Sequence, residues 1–297
     1  MHGLRLNAFA KINTRLEIIG RRSDGYHELR TILQTISLHD VLEISPARGS
    51  AIELIIEGNA ALAGEPLAGN LVYRAIDLMR REVGWRRGVQ ARLIKRVPVG
   101  RGLGGGSSDA AAALIGIMRL ARKNLPAARL MELGASLGAD VPFFLIGGTA
   151  LGVGRGDEIY PLPDGRQSTV LVVSPHDIAV RTADAYGWLA GSLTKRPTIS
   201  KLWSFCALCW SSREVPLAND FEAAVFRRHP RLGNIKRRLL QSGAAEASLA
   251  GSGSAVFALF RSPAQARRAA RQFPREQVFI CETVSRARYR RALFVRG

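Results

Sequence analysis

The sequence predicts a protein of mixed strands and helices in two parts, and three observations lead to this prediction. The chain opens with a long stretch of alternating apolar and polar residues, 4–19, which is typical of a strand with one buried face. A glycine-rich loop at 98–106 leads directly into an alanine-rich helix. The pattern then changes around 152–156, so we expect a domain boundary near residue 160, with parts at 1–160 and 161–297.

Composition narrows the class of protein. Of 297 residues, 47% are hydrophobic and 23% are charged, which is ordinary for a globular protein long enough to bury a core. No apolar stretch approaches the roughly 18 residues of a membrane span, and the first residues lack the apolar region of a signal peptide. We therefore expect a cytoplasmic protein without a membrane partner.

The formal net charge of +19 has three interpretations: contact with nucleic acid, attraction of polyanionic small substrates, or solvated helix faces rich in arginine. The arginines are spread along the chain, often as pairs, and form no basic tail. No basic patch is interleaved with aromatic residues, as nucleic-acid binding would favour. Solvated faces are the favoured interpretation, and a nucleic-acid-binding protein is the disfavoured alternative class.

The three cysteines, Cys206, Cys209 and Cys281, give no disulfide framework. Cys206 and Cys209 have the spacing of two zinc ligands, but the chain holds no second pair of Cys or His residues at ligand spacing. We expect these residues to be buried thiols, and we predict no metal site made by the protein alone.

The first strand, at 4–19, places Lys11 and Asn13 side by side on the face opposite the core, which on pattern alone is a solvated face. The Asp24-Gly25 pair predicts a turn, so Tyr26 and His27 lie on or beside a loop. Further strands are predicted at 31–38, 41–44, 51–57 and 89–97, and a helix capped by Asn70 at 70–82.

The glycine loop is the strongest local signal. Five of the seven positions from 100 to 106 are glycine, which lets the backbone turn sharply and approach a ligand closely. Ser107 or Ser108 is a natural N-cap for a helix that begins at Asp109 and ends before Asn124. Such a helix start directs free N–H groups and the positive end of the helix dipole at one point, which suits a phosphate.

Three common phosphate loops do not fit this stretch. A dinucleotide-binding unit needs an acid roughly 20 residues after the loop, and residues 110–131 contain none. A Walker A loop ends in Gly-Lys-Ser or Gly-Lys-Thr, and a protein kinase needs His-Arg-Asp and Asp-Phe-Gly segments. The chain contains none of these sequences.

Asp140 stands alone among apolar residues after a helix predicted at 126–137. An unpaired buried carboxylate is costly, so we expect a cationic partner or a catalytic role for it. The simpler alternative is an N-cap ahead of Pro142.

The second part predicts short alternating elements. Segment 249–257 is a second glycine turn that enters a strand, and segment 191–216 shows no clear periodicity. The predicted strands lie at 169–173, 246–249, 255–260 and 278–283, and the helices at 183–189, 220–225, 232–240 and 264–272.

The loop from Pro98 to Ser108 reads Pro-x-Gly-x-Gly-Leu-Gly-Gly-Gly-Ser-Ser. This resembles the phosphate loop of the galactokinase, homoserine kinase, mevalonate kinase and phosphomevalonate kinase (GHMP) superfamily. Four more blocks, at 10–29, 137–145, 219–222 and 251–257, are similar to those superfamily members that phosphorylate a cytidine diphosphate sugar alcohol in the non-mevalonate isoprenoid pathway.

The resemblance implies a fold of two α+β domains. The N-terminal half is expected to be like the second domain of ribosomal protein S5 and the C-terminal half ferredoxin-like, with the substrate in the cleft between them. It also implies an ATP-dependent kinase that requires Mg²⁺ and phosphorylates the C2 hydroxyl, as a monomer or weak homodimer. A homoserine or mevalonate kinase is the alternative within the superfamily, and the Asp-Gly-Tyr-His loop at 24–27 disfavours it.

The same resemblance implies the site residues. Lys11 and Asp140 match the catalytic pair, in which the acid takes the hydroxyl proton and the lysine keeps that acid ionised. The matches to ATP-binding positions are Asn70, Leu71, Lys95, Pro98, Gly100, Gly102, Leu103, Gly104, Gly105, Gly106, Ser107 and Ser108. The matches to substrate-binding positions are Asn13, Tyr26, His27, Asp140, Thr182 and Tyr186.

Among these, Tyr26 is expected to stack on cytosine, Tyr186 to complete the stack and His27 to hydrogen-bond the base. The chain departs from the family pattern at Arg101, inside the glycine loop. Two interpretations of its guanidinium stay open: contact with the phosphates, or exposure to solvent.

Overall fold

A computed structural model of the chain describes residues 3–59, 62, 64, 66–189 and 216–295. The strands are β1 (Leu4–Arg21), β2 (His27–Ala47), β3 (Ile52–Glu57), β4 (Gly88–Ile94), β5 (Thr149–Gly154), β6 (Glu158–Pro161), β7 (Thr169–Ser174), β8 (Ala218–Asn219), β9 (Glu246–Leu249), β10 (Val256–Phe260) and β11 (Gln277–Glu282). The helices are α1 (Leu71–Val83), α2 (Gly105–Leu120), α3 (Ala127–Leu137), α4 (Val141–Ile146), α5 (Thr182–Leu189), α6 (Phe221–Arg228), α7 (Pro230–Gln241), α8 (Pro263–Ala270) and α9 (Arg286–Ala292).

This mixture of sheets and helices confirms the predicted α+β class. The pair Cys206 and Cys209 lies outside the described residues, as does nearly all of segment 191–216. Cys281 is described and is a buried free thiol on β11, as expected.

In the part of the chain that the structure describes, the larger sheet has seven strands and is built around β2. One edge of β2 pairs with β1, while its other edge pairs with β5 over the first half and with β4 over the second half. The central order is β3-β4-β2-β1-β8, and β6 adds to β5. Because β8 comes from late in the chain and pairs with β1, the two halves of the sequence share this sheet.

The smaller sheet has, among the described residues, four antiparallel strands in the order β11-β7-β10-β9. Every residue of β7 is buried, because alternate side chains enter two different cores. Val170 and Val172 face the first sheet, whereas Leu171 and Val173 face helices of the second half. A continuous apolar strand of this kind is typical of a strand covered on both faces.

The two sheets pack against each other, and helices cover their outer faces. Ala10 and Ile12 of β1 and Ile36 of β2 meet Val172 and Phe257 of the second sheet. On the far side of the first sheet, a larger core is formed with α1, α2, α3 and α4 and with part of α9. The first sheet is therefore an internal layer.

This layering changes the interpretation of β1. The alternating pattern predicted a strand with one solvated face, but the segment from Ala8 to Asn13 is buried on both faces. A register shift between Phe9 and Ala10 turns successive apolar side chains toward different cores. Lys11 and Asn13 are consequently buried, and the solvated-face prediction from pattern alone was wrong.

The helix after the glycine loop starts earlier than predicted. It begins at Gly105 with the left-handed Gly104 as its N-cap, and no side chain caps it. Ser107 and Ser108 therefore lie in the first turn, and the predicted serine cap was wrong. The helix capped by Asn70 is confirmed, since its side chain accepts a hydrogen bond from Val72 N–H.

The local sequence patterns did not predict the short elements β5, β6, α4, β8 and α9. The last of these returns the chain end to the first half, where Leu6 and Phe294 form a bridge. Within the described residues, we find no helix long and apolar enough to cross a bilayer.

Candidate active site

A single cavity of about 1440 Å³ brings most of the predicted site residues together. Its wall includes Lys11, Asn13, Tyr26, His27, Leu71, Lys95, Pro98, Gly100, Gly102 to Ser107, Asp140, Thr182 and Tyr186. Two predicted residues do not line it. Asn70 caps α1, and Ser108 is buried with a hydroxyl that has no hydrogen-bond partner among the described residues.

Lys11 and Asp140 form an ion pair in this cavity, with Nζ and Oδ2 3.4 Å apart. The Lys11 side chain is 5% exposed, whereas that of Asp140 is 37% exposed and reachable from the cavity. Asp140 occupies the N-cap position of α4, but its carboxylate makes no capping hydrogen bond. The cap alternative therefore does not account for its side chain, and the predicted cationic partner is Lys11.

A chain of hydrogen bonds holds the lysine in place. Lys11 Nζ donates to Asn13 Oδ1 at 2.8 Å, and Asn13 Nδ2 donates to Thr31 Oγ1 at 2.7 Å. Thr31 in turn donates to the Arg15 carbonyl at 2.8 Å. Since all of these groups lie on paired strands β1 and β2, the ammonium has a fixed position beside the carboxylate.

The glycine loop lies against Lys11. The Lys11 N–H donates to the Leu103 carbonyl at 2.9 Å, which adds the loop to the edge of β1. A Cβ on Gly104 would lie 2.8 Å from the Phe144 ring and 3.0 Å from Lys11 Cγ, and a Cβ on Gly102 would lie 1.8 Å from the Ala250 carbonyl oxygen. The loop can therefore approach these neighbours only because it carries no side chains there.

The first turn of α2 forms the part of the cavity wall next to this loop. The N–H groups at a helix start have no partners within the helix, and the dipole adds positive potential there. An anion such as a phosphate group fits this position, beside the lysine and across from the Asp140 carboxylate.

Lys95 lies in the same wall, and two buried acids hold its ammonium. Nζ is 2.5 Å from Asp40 Oδ2 and 2.6 Å from Asp109 Oδ2. Asp40 also accepts the N–H groups of Arg96 and Val97 through its other oxygen. This group ties the start of α2 to β2 and to the segment after β4.

The electrostatics of that group are unusual because two carboxylates share one cation. Burial raises the pKa of Asp109 to about 8, and its Oδ1 has no hydrogen-bond partner among the described residues. Burial alone would lower the pKa of Lys95, but the two carboxylates outweigh it and raise that pKa. Sequence reasoning missed Asp40 and Asp109, although Asp109 directly follows the two serines of the loop.

An aromatic group forms another part of the cavity wall. The rings of His27 and Tyr186 are stacked, while the exposed Tyr26 ring has the Arg155 guanidinium 5.0 Å above its centroid. Burial, with a further contribution from Asp140, raises the pKa of Tyr186 to about 12. Burial lowers the pKa of His27, and the nearby Arg21 lowers it further.

The second glycine turn, at 250–254, closes the cavity from the other half of the molecule. Asn219 Nδ2 donates to the carbonyls of Leu249 and Gly251, each at 2.8 Å, and so fixes the turn. Thr182 Oγ1 and Ser252 Oγ are 3.1 Å apart, which links the turn to α5. Asn219, in the block at 219–222, therefore supports the site indirectly by holding this turn in position.

The cavity offers few oxygen donors for a divalent cation. Among the described residues, no group of three or more His, Cys, Asp or Glu side chains could hold a metal ion. The Asp140 carboxylate and the Ser107 hydroxyl are oxygen donors in the wall. That set fits Mg²⁺ carried by a nucleotide, because Mg²⁺ usually binds one or two carboxylates together with substrate phosphates and waters.

Comparison with known proteins places this chain among small-molecule kinases. Residues 70–148 match the family model described as GHMP kinases N terminal domain, and residues 206–278 match GHMP kinases C terminal. The chain is 47% identical over 292 residues to a 4-diphosphocytidyl-2-C-methyl-D-erythritol kinase of Solibacter usitatus, covering 96% of this chain and 90% of that protein.

Solved structures agree with this family assignment. A crystal structure of 4-(cytidine 5'-diphospho)-2C-methyl-D-erythritol kinase superposes with a TM-score of 0.77 at 34% identity, covering 94% of this chain and 99% of that one. A homoserine kinase from Cytophaga hutchinsonii has a TM-score of 0.71 at 19% identity, covering 96% and 95% of the two chains. At that lower identity the likeness shows the shared fold alone.

Proposed function

The chain belongs to the 4-diphosphocytidyl-2-C-methyl-D-erythritol kinases of the GHMP kinase family, and we propose that the cavity described above carries out their reaction. The enzyme transfers the γ-phosphate of ATP to the C2 hydroxyl of this cytidyl substrate. The products are the 2-phosphate and ADP, in the non-mevalonate route to isoprenoid precursors.

The single observation that carries the assignment of the site is the contact of Lys11 and Asp140 beside the glycine loop. A phosphoryl transfer needs an anion-binding wall for the nucleotide and a group that accepts the proton of the attacking alcohol. Here both features face one cavity, and the buried lysine lies between them.

We assign Asp140 as the group that accepts the hydroxyl proton as the oxygen attacks phosphorus. Its partly exposed carboxylate faces the cavity, and the Lys11 ammonium lies 3.4 Å away. The same ammonium also lowers the cost of the negative charge that develops on the attacking oxygen. Asn13 keeps the ammonium in this position through its 2.8 Å hydrogen bond.

We assign the phosphate-binding role to the glycine loop and the first turn of α2. Gly102 to Ser107 line the wall, and the helix start supplies unpaired N–H groups and positive potential. Lys95 supports this wall indirectly, by binding Asp109 in the first turns of α2. Its ammonium is not available to a phosphate, because two acids already bind it. When bound, Mg²⁺ would neutralise phosphate charge and be held by phosphate oxygens together with the Ser107 hydroxyl.

We assign the cytidyl end of the substrate to the aromatic group formed by Tyr26, His27 and Tyr186. Aromatic faces and a neutral imidazole provide stacking surfaces and a hydrogen-bonding edge for a base. Thr182 lies one turn from Tyr186 on α5, toward the second glycine turn.

Phosphate transfer from labelled ATP to a panel of alcohols tests the proposal. The panel contains the cytidyl substrate, homoserine, mevalonate and free 2-C-methyl-D-erythritol. We expect transfer to the cytidyl substrate alone, with loss of transfer in Asp140→Asn. Efficient phosphorylation of homoserine or mevalonate, or no transfer to the cytidyl substrate, would overturn it.

Three expectations from the sequence stay predictions. These are the cytoplasmic location, a monomer or weak homodimer, and a domain boundary near residue 160. The nucleic-acid alternative stays disfavoured, because the chain belongs to a family of small-molecule kinases.

A further inference from the structure

Arg101 lies within the glycine loop, where contact with phosphates and exposure to solvent were both open. In the structure its guanidinium instead donates hydrogen bonds to two acceptors of the protein. Nη1 donates to Ser254 Oγ at 3.0 Å, and Nη2 donates to the His176 carbonyl at 2.9 Å. Both acceptors belong to the second half of the chain, so the side chain reaches across the cleft.

The acceptors are well fixed. Ser254 is fully buried in the second glycine turn, and its hydroxyl donates to the Ile178 carbonyl while it accepts from Arg101. His176 and Ile178 both belong to the segment between β7 and α5. One guanidinium therefore joins three segments: the glycine loop, the second glycine turn and the segment that leads to α5.

Backbone contacts also join the glycine loop to the second glycine turn. The Ala255 N–H donates to the Arg101 carbonyl at 3.2 Å, and the neighbouring Gly102 packs directly on the Ala250 carbonyl. The contact of Thr182 with Ser252 continues the connection to the wall that carries Tyr186. Arg101 thus lies where the nucleotide wall and the acceptor wall meet.

We propose that Arg101 is a positioning residue that seats the glycine loop on the second half of the molecule, and that it is not a ligand of the phosphates. A loop so rich in glycine loses much conformational freedom when it becomes ordered. A charged donor that binds two fixed acceptors orders the loop before the nucleotide arrives, and preorganisation of this kind improves affinity. The inference rests on the proposed function only in taking ATP as the nucleotide.

The two roles make different demands on the side chain. Positioning needs the planar fork of arginine, because the two nitrogens donate to acceptors on different segments, and it needs Ser254 as a partner. Phosphate binding needs a positive charge within reach, which lysine also supplies. Arg101→Lys and Ser254→Ala therefore separate the two roles.

The test measures ATP affinity by calorimetry, without acceptor, for wild type, Arg101→Ala, Arg101→Lys, Ser254→Ala and the double variant Arg101→Ala/Ser254→Ala. We expect each single variant to bind ATP about tenfold more weakly. The double variant should bind ATP no more weakly than Arg101→Ala, because both changes remove the same hydrogen bond between Arg101 and Ser254. Arg267→Ala on the exposed face of α8 is the control for the lost charge and should bind ATP like wild type.

Steady-state kinetics add a second readout. The KM for ATP should rise in all three single variants, while the KM for the cytidyl substrate changes little. Wild-type affinity in Arg101→Lys or Ser254→Ala, or additive losses in the double variant, would overturn the positioning role. Turnover of the cytidyl substrate by wild type, measured alongside, tests the proposed function separately, since ATP affinity is read without acceptor.

Discussion

The imidazole ring of His27 lies stacked on the phenol ring of Tyr186, with the ring centroids 4.5 Å apart and the planes inclined by 18°. A base sandwiched between two rings needs roughly twice that separation. A cytosine can therefore stack on the face of Tyr186 that His27 covers only when the His27 ring moves aside. The structure shows the aromatic group in an arrangement in which His27 covers one face of Tyr186.

The aromatic group predicts a selective loss of acceptor binding. Tyr26→Ala and Tyr186→Ala should each raise the KM for the cytidyl substrate by an amount equivalent to about 1–3 kcal/mol, the range for stacking of a base on an aromatic ring. The KM for ATP should stay unchanged. Tyr160→Ala is a matched control, because Tyr160 is similarly exposed on β6 but does not line the cavity. An unchanged KM for the cytidyl substrate would exclude the stacking assignment.

The glycine loop offers a matched pair of substitutions. Gly100 and Gly102 both have positive φ, near 69° and 79°. A Cβ at Gly100 would meet nothing within 4 Å, whereas a Cβ at Gly102 would lie 1.8 Å from the Ala250 oxygen. Gly100→Ala should therefore carry only the backbone strain of about 1–2 kcal/mol.

Gly102→Ala should add a steric displacement of the loop to that strain. We expect ATP affinity to fall much further for Gly102→Ala than for Gly100→Ala, as measured by calorimetry without acceptor. Equal affinities in the two variants would show that the contact with the second glycine turn does not shape the phosphate wall.

The buried group of Asp40, Lys95 and Asp109 predicts a pH dependence of stability. Burial raises the pKa of Asp109 in the folded protein to about 8, far above its value in an unfolded chain. Between these values the folded state holds a proton that the unfolded state has released. Stability from this group is therefore fully present at low pH and is lost as the pH rises toward about 8.

Asp109→Asn should remove that dependence, because an amide has the shape of the carboxyl group and no ionised form. Urea unfolding between pH 5 and 9 should show the variant gaining stability relative to wild type as the pH rises. Asp184→Asn, at an exposed position of α5, is the control and should leave the wild-type profile in place. Parallel profiles for wild type and Asp109→Asn would contradict the assignment.

The chain end supports the catalytic segment through Tyr289. Its buried hydroxyl donates to the carbonyl of Phe144 on α4, directly after Asp140 in the chain, and burial raises its pKa. Tyr289→Phe leaves that carbonyl without its donor and should lower the free energy of unfolding by about 1–3 kcal/mol. Tyr160→Phe removes an exposed hydroxyl and should change the unfolding free energy little. Equal values for the two variants would show that the hydrogen bond contributes nothing.

The sequence was sufficient for features that depend on neighbouring residues. The glycine loop, the helix capped by Asn70 and the isolated Asp140 each have a local signature, because turn chemistry, capping and charge burial act over a few residues. The resemblance to known kinases then identified Lys11 as the partner of Asp140. The pattern of β1 alone placed that lysine in solvent.

Other features depend on contacts between residues far apart in the chain, so no local pattern predicts them. The second sheet covers the face of β1 that carries Ala10 and Ile12, while the glycine loop and Asp140 lie against the opposite face, which carries Lys11. Both faces are therefore buried at this point, although the pattern predicted one of them in solvent. Lys95 meets Asp40 across 55 positions, and Arg101 meets Ser254 across 153 positions. The serine cap failed because Gly104 takes a left-handed conformation and starts the helix first.

The most direct test of the account is the turnover of Asp140→Asn, measured by phosphate transfer to the cytidyl substrate at saturating ATP. Loss of the proton acceptor should lower kcat by about 10²–10⁴-fold, with ATP affinity retained because the phosphate wall is untouched. Asp77→Asn, on the outer face of α1, is the control for a lost carboxylate and should keep the wild-type kcat. A kcat near that of wild type in Asp140→Asn would contradict the central role of the Lys11–Asp140 pair.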